Sequence, residues 1–305
     1  MDLLKKLINA GIEESEAKKE ISILESEIKD KEKIKKIIDE RVKTRTPIQY
    51  LLGKAYFMDF EVKVNNKVLI PRPETEILVE ETVKKLVIAR NAVTKQSSVD
   101  SHKKIASSVL FRPGGPVLWR AEPPRNDITA LDIGTGSGVI AIALAKMIPN
   151  IKITAIDLDK EIIDLASESA RLNNVGEKIN FKVCDVFSKC FEELIQSQEF
   201  DLIISNPPYV TGGPHHSKLI KPEVMHEPEI ALYGSKENKT GLVYYERIVE
   251  LCRRRGRAPS PTMMVFEIDP PLVKSLKALM EKHGLNNFEI VQDYYRLDRC
   301  LFIFR

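Results

Sequence analysis

Cysteine is scarce in this sequence: four in 305 residues, Cys184, Cys190, Cys252 and Cys300, with no C-x-x-C pair. That spacing points to neither a zinc site nor a disulfide framework. Charge of one sign is not in excess either, since Lys+Arg 47 against Asp+Glu 44 leaves +3. Near-balance provides no broad field for nucleic acid, so direct nucleic-acid recognition is not expected. The basic run at Arg253, Arg254, Arg255 and Arg257 is short and reads as a solvated loop. Long apolar runs are missing: none approaches the roughly 20 residues a membrane helix needs. The opening MDLLKKLINAGIEESEAKKE is charged throughout and has no signal-peptide core. A cytoplasmic monomer with no membrane contact is expected. His215, His216 and His226 share a loop without a clear carboxylate set, so no metal is expected.

What is present divides unevenly. The hydrophobic share, 43%, suffices for a sizeable core, and the length suits one large domain plus a small one. Residues 1–55 carry short amphipathic helical patterns through Leu3, Leu4, Leu7 and Ile8, then Ile21, Leu24 and Ile28, then Ile34, Ile37 and Ile38. Residues 56–90 read as a hairpin turning at Asn65-Asn66, followed by a connecting helix from Glu74 to Arg90. Residues 91–128 are polar or Pro/Gly-rich, contain the single tryptophan, Trp119, and read as a poorly ordered linker or insertion. Residues 129–305 alternate strand and helix patterns through ITALDIG, IKITAID, INFKVCD, FDLIISN, TMMVFEID, FEIVQD and CLFIF. That alternation predicts an α/β, doubly wound, mostly parallel sheet of seven strands. The last two strands lack a full helix between them, so one is expected to be antiparallel.

LDIGTGSGVIAIALA is a strand, a glycine-rich turn and a helix start. Gly134, Gly136 and Gly138 allow close backbone approach to a ligand, and the helix-opening amides, with Thr135 and Ser137, point at it. Asp157 ends the next strand, where an acid accepts hydrogen bonds from ribose hydroxyls. Asp132, just before the loop, is placed to bind a methionine end or to orient the loop. Asp185, with Val186, follows the third strand and either meets an adenine ring or caps the DVF turn. A dinucleotide fingerprint would want glycine where Val139 stands, which disfavours a nicotinamide-dependent dehydrogenase. The G-x-G-x-G spacing resembles that of S-adenosyl-L-methionine-dependent methyltransferases.

The run FDLIISNPPYV, residues 200–210, ends a buried strand on Asn206, Pro207, Pro208 and Tyr209. A planar NH2 group is a poor nucleophile because its lone pair is delocalised, so both N–H bonds must be held for the nitrogen to accept a methyl. The Asn206 side-chain oxygen and the Pro207 carbonyl are the two acceptors, the prolines make that carbonyl rigid, and the Tyr209 ring offers a stacking face. The motif serves an adenine, a guanine or a glutamine amide equally well. The alternatives are therefore a nucleobase amino-group methyltransferase acting on DNA adenine or rRNA guanine, and a non-catalytic S-adenosylmethionine-binding protein.

RTPIQYLLG (residues 45–53), VLIPRPETE (68–76), the glycine loop, ARLNN (170–174), the Asn-Pro-Pro-Tyr run and EPEIALYG (227–234) together resemble the protein-(glutamine-N5) methyltransferases of the HemK/PrmC type. The resemblance implies a Rossmann-like methyltransferase fold with an N-terminal helical substrate-recognition domain and S-adenosyl-L-methionine as cofactor. It implies methylation of the glutamine in the Gly-Gly-Gln loop of a peptide chain release factor, with Arg72, Pro73 and Glu74 lining the substrate entrance. The sequence departs from that pattern in the long 91–128 segment, in CRRRGRAPSPT, in Asp269-Pro270-Pro271 and in DYYRLDRCL.

Overall fold

A computed structural model describes residues 2–100, 127–211, 221–253 and 263–304 of the chain. The N-terminal part is a small helical module: α1 (Leu3–Asn9), α2 (Glu14–Glu27), α3 (Lys31–Thr44) and α4 (Ile48–Leu52). Local signals start and stop these helices. Asp2 caps α1 by accepting from the Leu4 amide at 3.0 Å, and Asp30 caps α3 by accepting from the Glu32 amide at 2.9 Å. Leu7, Ile12, Ala17, Leu24, Ile34, Ile38 and Ile48 form a core of their own for this module.

A hairpin follows, β1 (Lys54–Phe57) and β2 (Phe60–Lys63), in antiparallel register with Phe57 opposite Phe60. Its turn lies at Met58 and Asp59, not at Asn65-Asn66 as the sequence pattern implied. Met58 takes φ 50°, and its amide donates to Glu76 Oε1 at 2.8 Å, so a tertiary partner stabilises a turn that local preference would not choose. Asn65 instead closes a local turn, its Oδ1 accepting from the Lys67 amide at 2.9 Å. The hairpin lies against the large domain: the Lys63 amide donates to Ser169 Oγ, and Asn173 Nδ2 to the Glu61 carbonyl.

Helix α5 (Pro73–Asp100) opens on a proline with Glu74 and Glu76 in its first turn, a favoured helix start. It extends ten residues past the expected boundary at Arg90, because the 91–100 segment contains no proline or glycine to stop it. Trp119, His215, His216 and Arg254–257 lie outside the described residues.

The large domain then runs β3 (Ile128–Ile133), α6 (Val139–Met147), β4 (Ile151–Asp157), α7 (Lys160–Leu172), β5 (Ile179–Val183), α8 (Lys189–Ser197), β6 (Leu202–Ser205), α9 (Glu229–Tyr233), α10 (Val243–Arg253), β7 (Met263–Glu267), α11 (Val273–Lys282), β8 (Phe288–Gln292) and β9 (Asp298–Phe304). Strands β3 to β9 form one seven-stranded sheet in the order β5-β4-β3-β6-β7-β9-β8. All neighbours pair parallel except β9, which is antiparallel to both β7 and β8. This is the expected mostly parallel, doubly wound sheet with one reversed strand, Rossmann-like in its layering. Two apolar clusters pack on its opposite faces, one built on α6 and the hairpin, the other on α8, α10 and α11. Strand order reverses between β3 and β6, so a crevice opens beyond their carboxyl ends. No described helix is long and apolar enough to cross a membrane.

One cysteine expectation needs correction. Cys184 and Cys190 are joined as a disulfide six residues apart. The turn between β5 and α8 doubles back and brings their Cα atoms to 5.9 Å, a proximity that C-x5-C spacing alone did not announce.

Candidate active site

A cavity of about 300 Å³ occupies the crevice beyond β3 and β6. Its floor is the turn after β3. The Gly134 and Thr135 amides both donate to the Ile156 carbonyl, and Gly138 N donates to Thr135 O, folding residues 134–138 into a tight loop ahead of α6. The first and last glycines are needed for different reasons. Gly134 has φ 71°, and a Cβ there would meet nothing within 4 Å, so the backbone borders open space. Gly138 has φ 87°, and a Cβ would come within 3.2 Å of Ala166 Cβ and 3.3 Å of Ile142 Cδ1; it lets α6 and α7 approach each other. Gly134, Thr135, Gly136 and Ser137 line the cavity, whereas Gly138 and Asp132 do not.

Asp132 lies beneath the loop, fully buried. Its Oδ2 accepts from Thr135 Oγ1 at 2.7 Å, and its Oδ1 is buried without a hydrogen-bond partner. Burial lifts its carboxyl to about 7, although the Thr135 hydroxyl pulls the other way. Asp157 ends β4 at the cavity wall. Its Oδ2 accepts from Gly136 N at 2.9 Å and its Oδ1 from Leu158 N at 2.8 Å. Each oxygen keeps a further lone pair for a diol, and burial raises this carboxyl as well. Asp185 and Val186 also line the cavity. Asp185 caps its own turn, Oδ1 accepting from Phe187 N at 2.9 Å, while the residue preceding α8 is Ser188. Leu158 and Phe187 are exposed apolar side chains on the same wall, and Phe187 meets Tyr244 edge-on at 5.1 Å. Neither stands out in the sequence; the signal for each was an apolar residue close behind an acid that follows a strand, Leu158 next to Asp157 and Phe187 two residues after Asp185.

The opposite side is built at the end of β6. Ser205 Oγ donates to the Ile133 carbonyl at 2.7 Å, tying the ends of β6 and β3 together. Asn206, Pro207 and Pro208 line the cavity. The Pro208 carbonyl accepts from Asn238 Nδ2 at 3.0 Å, and Val210 N donates to Leu232 O, so the turn is held from outside the cavity. Asn206 Nδ2 donates to Thr75 Oγ1 at 3.3 Å. Among the described residues, neither Asn206 Oδ1 nor the Pro207 carbonyl accepts a hydrogen bond. Tyr209 is not among the lining residues. Its hydroxyl donates to Glu267 Oε1 at 3.0 Å, and desolvation beside that carboxyl pushes the phenol well up.

Of the entrance residues, Arg72 lines the cavity while Pro73 and Glu74 do not. Arg72 pairs with Glu227 rather than with its neighbour Glu74, its guanidinium reaching both carboxylate oxygens at 2.8 and 2.7 Å. Glu74 faces Arg299 at 3.9 Å. Thr75, Glu227 and Glu267 complete this side, and none of them stands out as a site residue in the sequence. Glu267 is the last residue of β7, beside β6, where its position could have drawn attention.

The residues present fit an adenosine-type cofactor: a glycine cradle open to the cavity, an acid with spare lone pairs at the diol position, and apolar walls at the base position. The same cavity is lined by Asn206 and Pro207, whose Oδ1 and carbonyl accept no hydrogen bond among the described residues.

Comparison with known proteins agrees. The methyltransferase small domain family matches residues 95–232. The release factor glutamine methyltransferase of Flavobacterium psychrophilum is 34% identical over 261 residues, covering 86% of this chain and 76% of that protein. The protein of the same name from Chlorobaculum tepidum is 31% identical over 278 residues, 90% of this chain and 79% of that one. Among solved structures, the catalytic domain of hMettl16 in complex with a MAT2A 3′UTR hairpin superposes with a TM-score of 0.52 at 12% identity, covering 88% of this chain and 81% of that one. At that identity the likeness concerns the fold alone.

Proposed function

Because the chain belongs to the release factor glutamine methyltransferase family, we propose that it methylates the side-chain nitrogen (N5) of the glutamine in the Gly-Gly-Gln loop of a peptide chain release factor. The donor is S-adenosyl-L-methionine, which when bound supplies an electrophilic methyl group on sulfur. The observation that carries the reading is that Asn206 and Pro207 line the same cavity as the glycine loop, with neither Asn206 Oδ1 nor the Pro207 carbonyl engaged as an acceptor among the described residues.

The protein's own work is placement. Asn206 accepts one N–H of the substrate carboxamide and Pro207 the other, so the amide plane is fixed and the nitrogen is aimed at the donor. Holding reactants in this way supplies several kcal/mol of barrier reduction. Asn238 and the two prolines keep the acceptors rigid, so little reorganisation is needed as charge develops on nitrogen. The amide sheds one proton once the methyl is gained. Gly134, Thr135, Gly136 and Ser137 with Asp157 hold the donor, Asp185 and Val186 border its base, and the Arg72–Glu227 pair stands at the rim. The protein acts as a cytoplasmic monomer on a protein substrate.

The test is incubation with labelled S-adenosylmethionine and a release factor bearing either Gln or Asn in its Gly-Gly-Gln loop. Label is expected only on the Gln form and is expected to vanish with Asn206→Ala. Equal labelling of both forms, or labelling of nucleic acid alone, sinks the reading.

A further inference from the structure

Behind the acceptor turn lies a polar chain that methyl transfer as derived above does not use. Glu267 ends β7 with its carboxyl fully inside the protein. Its Oε2 accepts from Thr75 Oγ1 at 2.6 Å and its Oε1 from Tyr209 at 3.0 Å. Thr75, also buried, in turn accepts from Asn206 Nδ2 at 3.3 Å. Two elements remote in sequence, the first turn of α5 and the end of β7, thus meet on the asparagine at the end of β6.

We propose that Glu267 is a positioning residue that, through Thr75, holds Asn206 with its oxygen turned to the substrate. An ionised carboxylate only accepts hydrogen bonds. Thr75 must therefore spend its single proton on Glu267, which leaves its oxygen as an acceptor. An acceptor at that point selects the NH2 end of Asn206, so the carbonyl end is delivered to the cavity. A reversed asparagine would offer two donors to a substrate NH2 group, which itself needs acceptors. The chain thus converts an amide with two interchangeable ends into a one-way acceptor. A protonated Glu267 donates as well as accepts, Thr75 is then free to donate to Asn206, and the orientation is lost. The proposal rests on the carboxamide substrate argued above.

The titratable groups facing Glu267 bear on where that change falls. They are Glu74 on α5, Tyr209 after β6, Tyr245 on α10, which donates to the Glu267 carbonyl, and Arg299 and Cys300 on β9; Asp269, just beyond β7, acts on Tyr209 and Tyr245. Burial together with Glu74 outweighs Thr75, Tyr209 and Arg299 and lifts the Glu267 carboxyl to about 7. Methyl transfer is therefore expected to rise as pH climbs through about 7.

The experiment compares wild type with Thr75→Val, Thr75→Ser, Glu267→Gln and the double variant T75V/E267Q. It measures kcat on a Gly-Gly-Gln release factor, the Kd of S-adenosylmethionine and the pH profile. Thr75→Val is expected to lower kcat by about 10- to 100-fold with cofactor Kd unchanged, and Thr75→Ser to stay within a few-fold of wild type. The double variant is expected to be no slower than the slower single variant, and Glu267→Gln to flatten the pH profile. Should Glu267→Gln fail to fold, the Val and Ser pair at Thr75 decides alone. A second readout needs no turnover: the Asn206 side-chain NH2 signals in 15N spectra, assigned by their loss in Asn206→Asp. They are expected to shift with a midpoint near pH 7 in wild type and to stay put in Thr75→Val. Wild-type kcat in Thr75→Val, multiplied losses in the double variant, or Asn206 signals indifferent to pH in wild type would each overturn the relay. A wild-type protein that leaves the release factor unlabelled sinks the substrate reading instead, and the Asn206 signals still decide the relay.

Discussion

Asp132 shows how a single buried side chain links the site to stability. A carboxyl raised from 3.8 to about 7 is held in its neutral form by the fold. Its contribution is complete below the ordinary carboxyl range and is lost as pH rises through about 7, at about 1.4 kcal/mol per pH unit across that window. The cofactor-free protein is therefore expected to have a lower Tm at pH 8 than at pH 5, and Asp132→Asn, which cannot ionise, to show a smaller drop. Identical Tm profiles for the two proteins would refute this origin of the pH dependence. The acid was conspicuous in the sequence because it precedes the glycine loop, but its surroundings were not: the Thr135 hydroxyl and the unpartnered Oδ1 follow from how residues 132–135 fold under the turn.

At the scale of the element, the glycine loop separates binding from packing. Gly134→Ala places a methyl group toward the cavity at a positive φ and costs about 1 kcal/mol of stability. Its main effect is expected on cofactor affinity, at least ten-fold weaker by titration calorimetry. Gly138→Ala pushes a methyl group against Ala166 and Ile142, and it is expected to cost about 2–3 kcal/mol in chemical denaturation. If Gly134→Ala proves the less stable of the two with unaltered affinity, the division is wrong. G-x-G-x-G announced the loop, since only the backbone pattern matters there. Which glycine faces the ligand depends on where α7 lies, and no local sequence encodes that. The Met58 turn teaches the same lesson, because the Glu76 carboxylate that receives its amide is 18 residues away.

At the scale of the molecule, a charged cluster joins the N-terminal helices to the segment following the acceptor turn. Arg41 of α3 is fully buried and holds Glu20 at 2.9 Å and Glu223 at 3.0 Å. Arg45 also pairs with Glu223, Lys221 with Glu16, and His226 Nε2 meets the Thr44 carbonyl at 2.9 Å. Glu223 and His226 stand just before Glu227, the partner of Arg72 at the cavity. The helical module is thereby fastened to the site's rim. Arg41→Ala leaves Glu20 buried without its counter-charge, while Glu223 keeps Arg45, and is expected to cost about 3–5 kcal/mol. Glu223→Gln keeps the packing and loosens the joint. It is expected to raise KM for an intact release factor several-fold while changing KM for a short Gly-Gly-Gln peptide little. Equal effects on both substrates would show that the joint does not serve docking.

By itself, the sequence determined the alternation of strand and helix, the glycine loop, the acids that follow the strands and the rigid Asn-Pro-Pro turn. Each is written in residues close along the chain, where backbone freedom, capping and hydrophobic period act locally. Tertiary structure alone decided that Thr75 and Glu267, 192 residues apart, meet behind Asn206. It likewise decided that Arg72 chooses Glu227 over Glu74 and that Cys184 finds Cys190. Those pairings arise where sheet order and helix packing bring remote polar groups out of water together, and a buried polar group takes whichever partner the fold delivers.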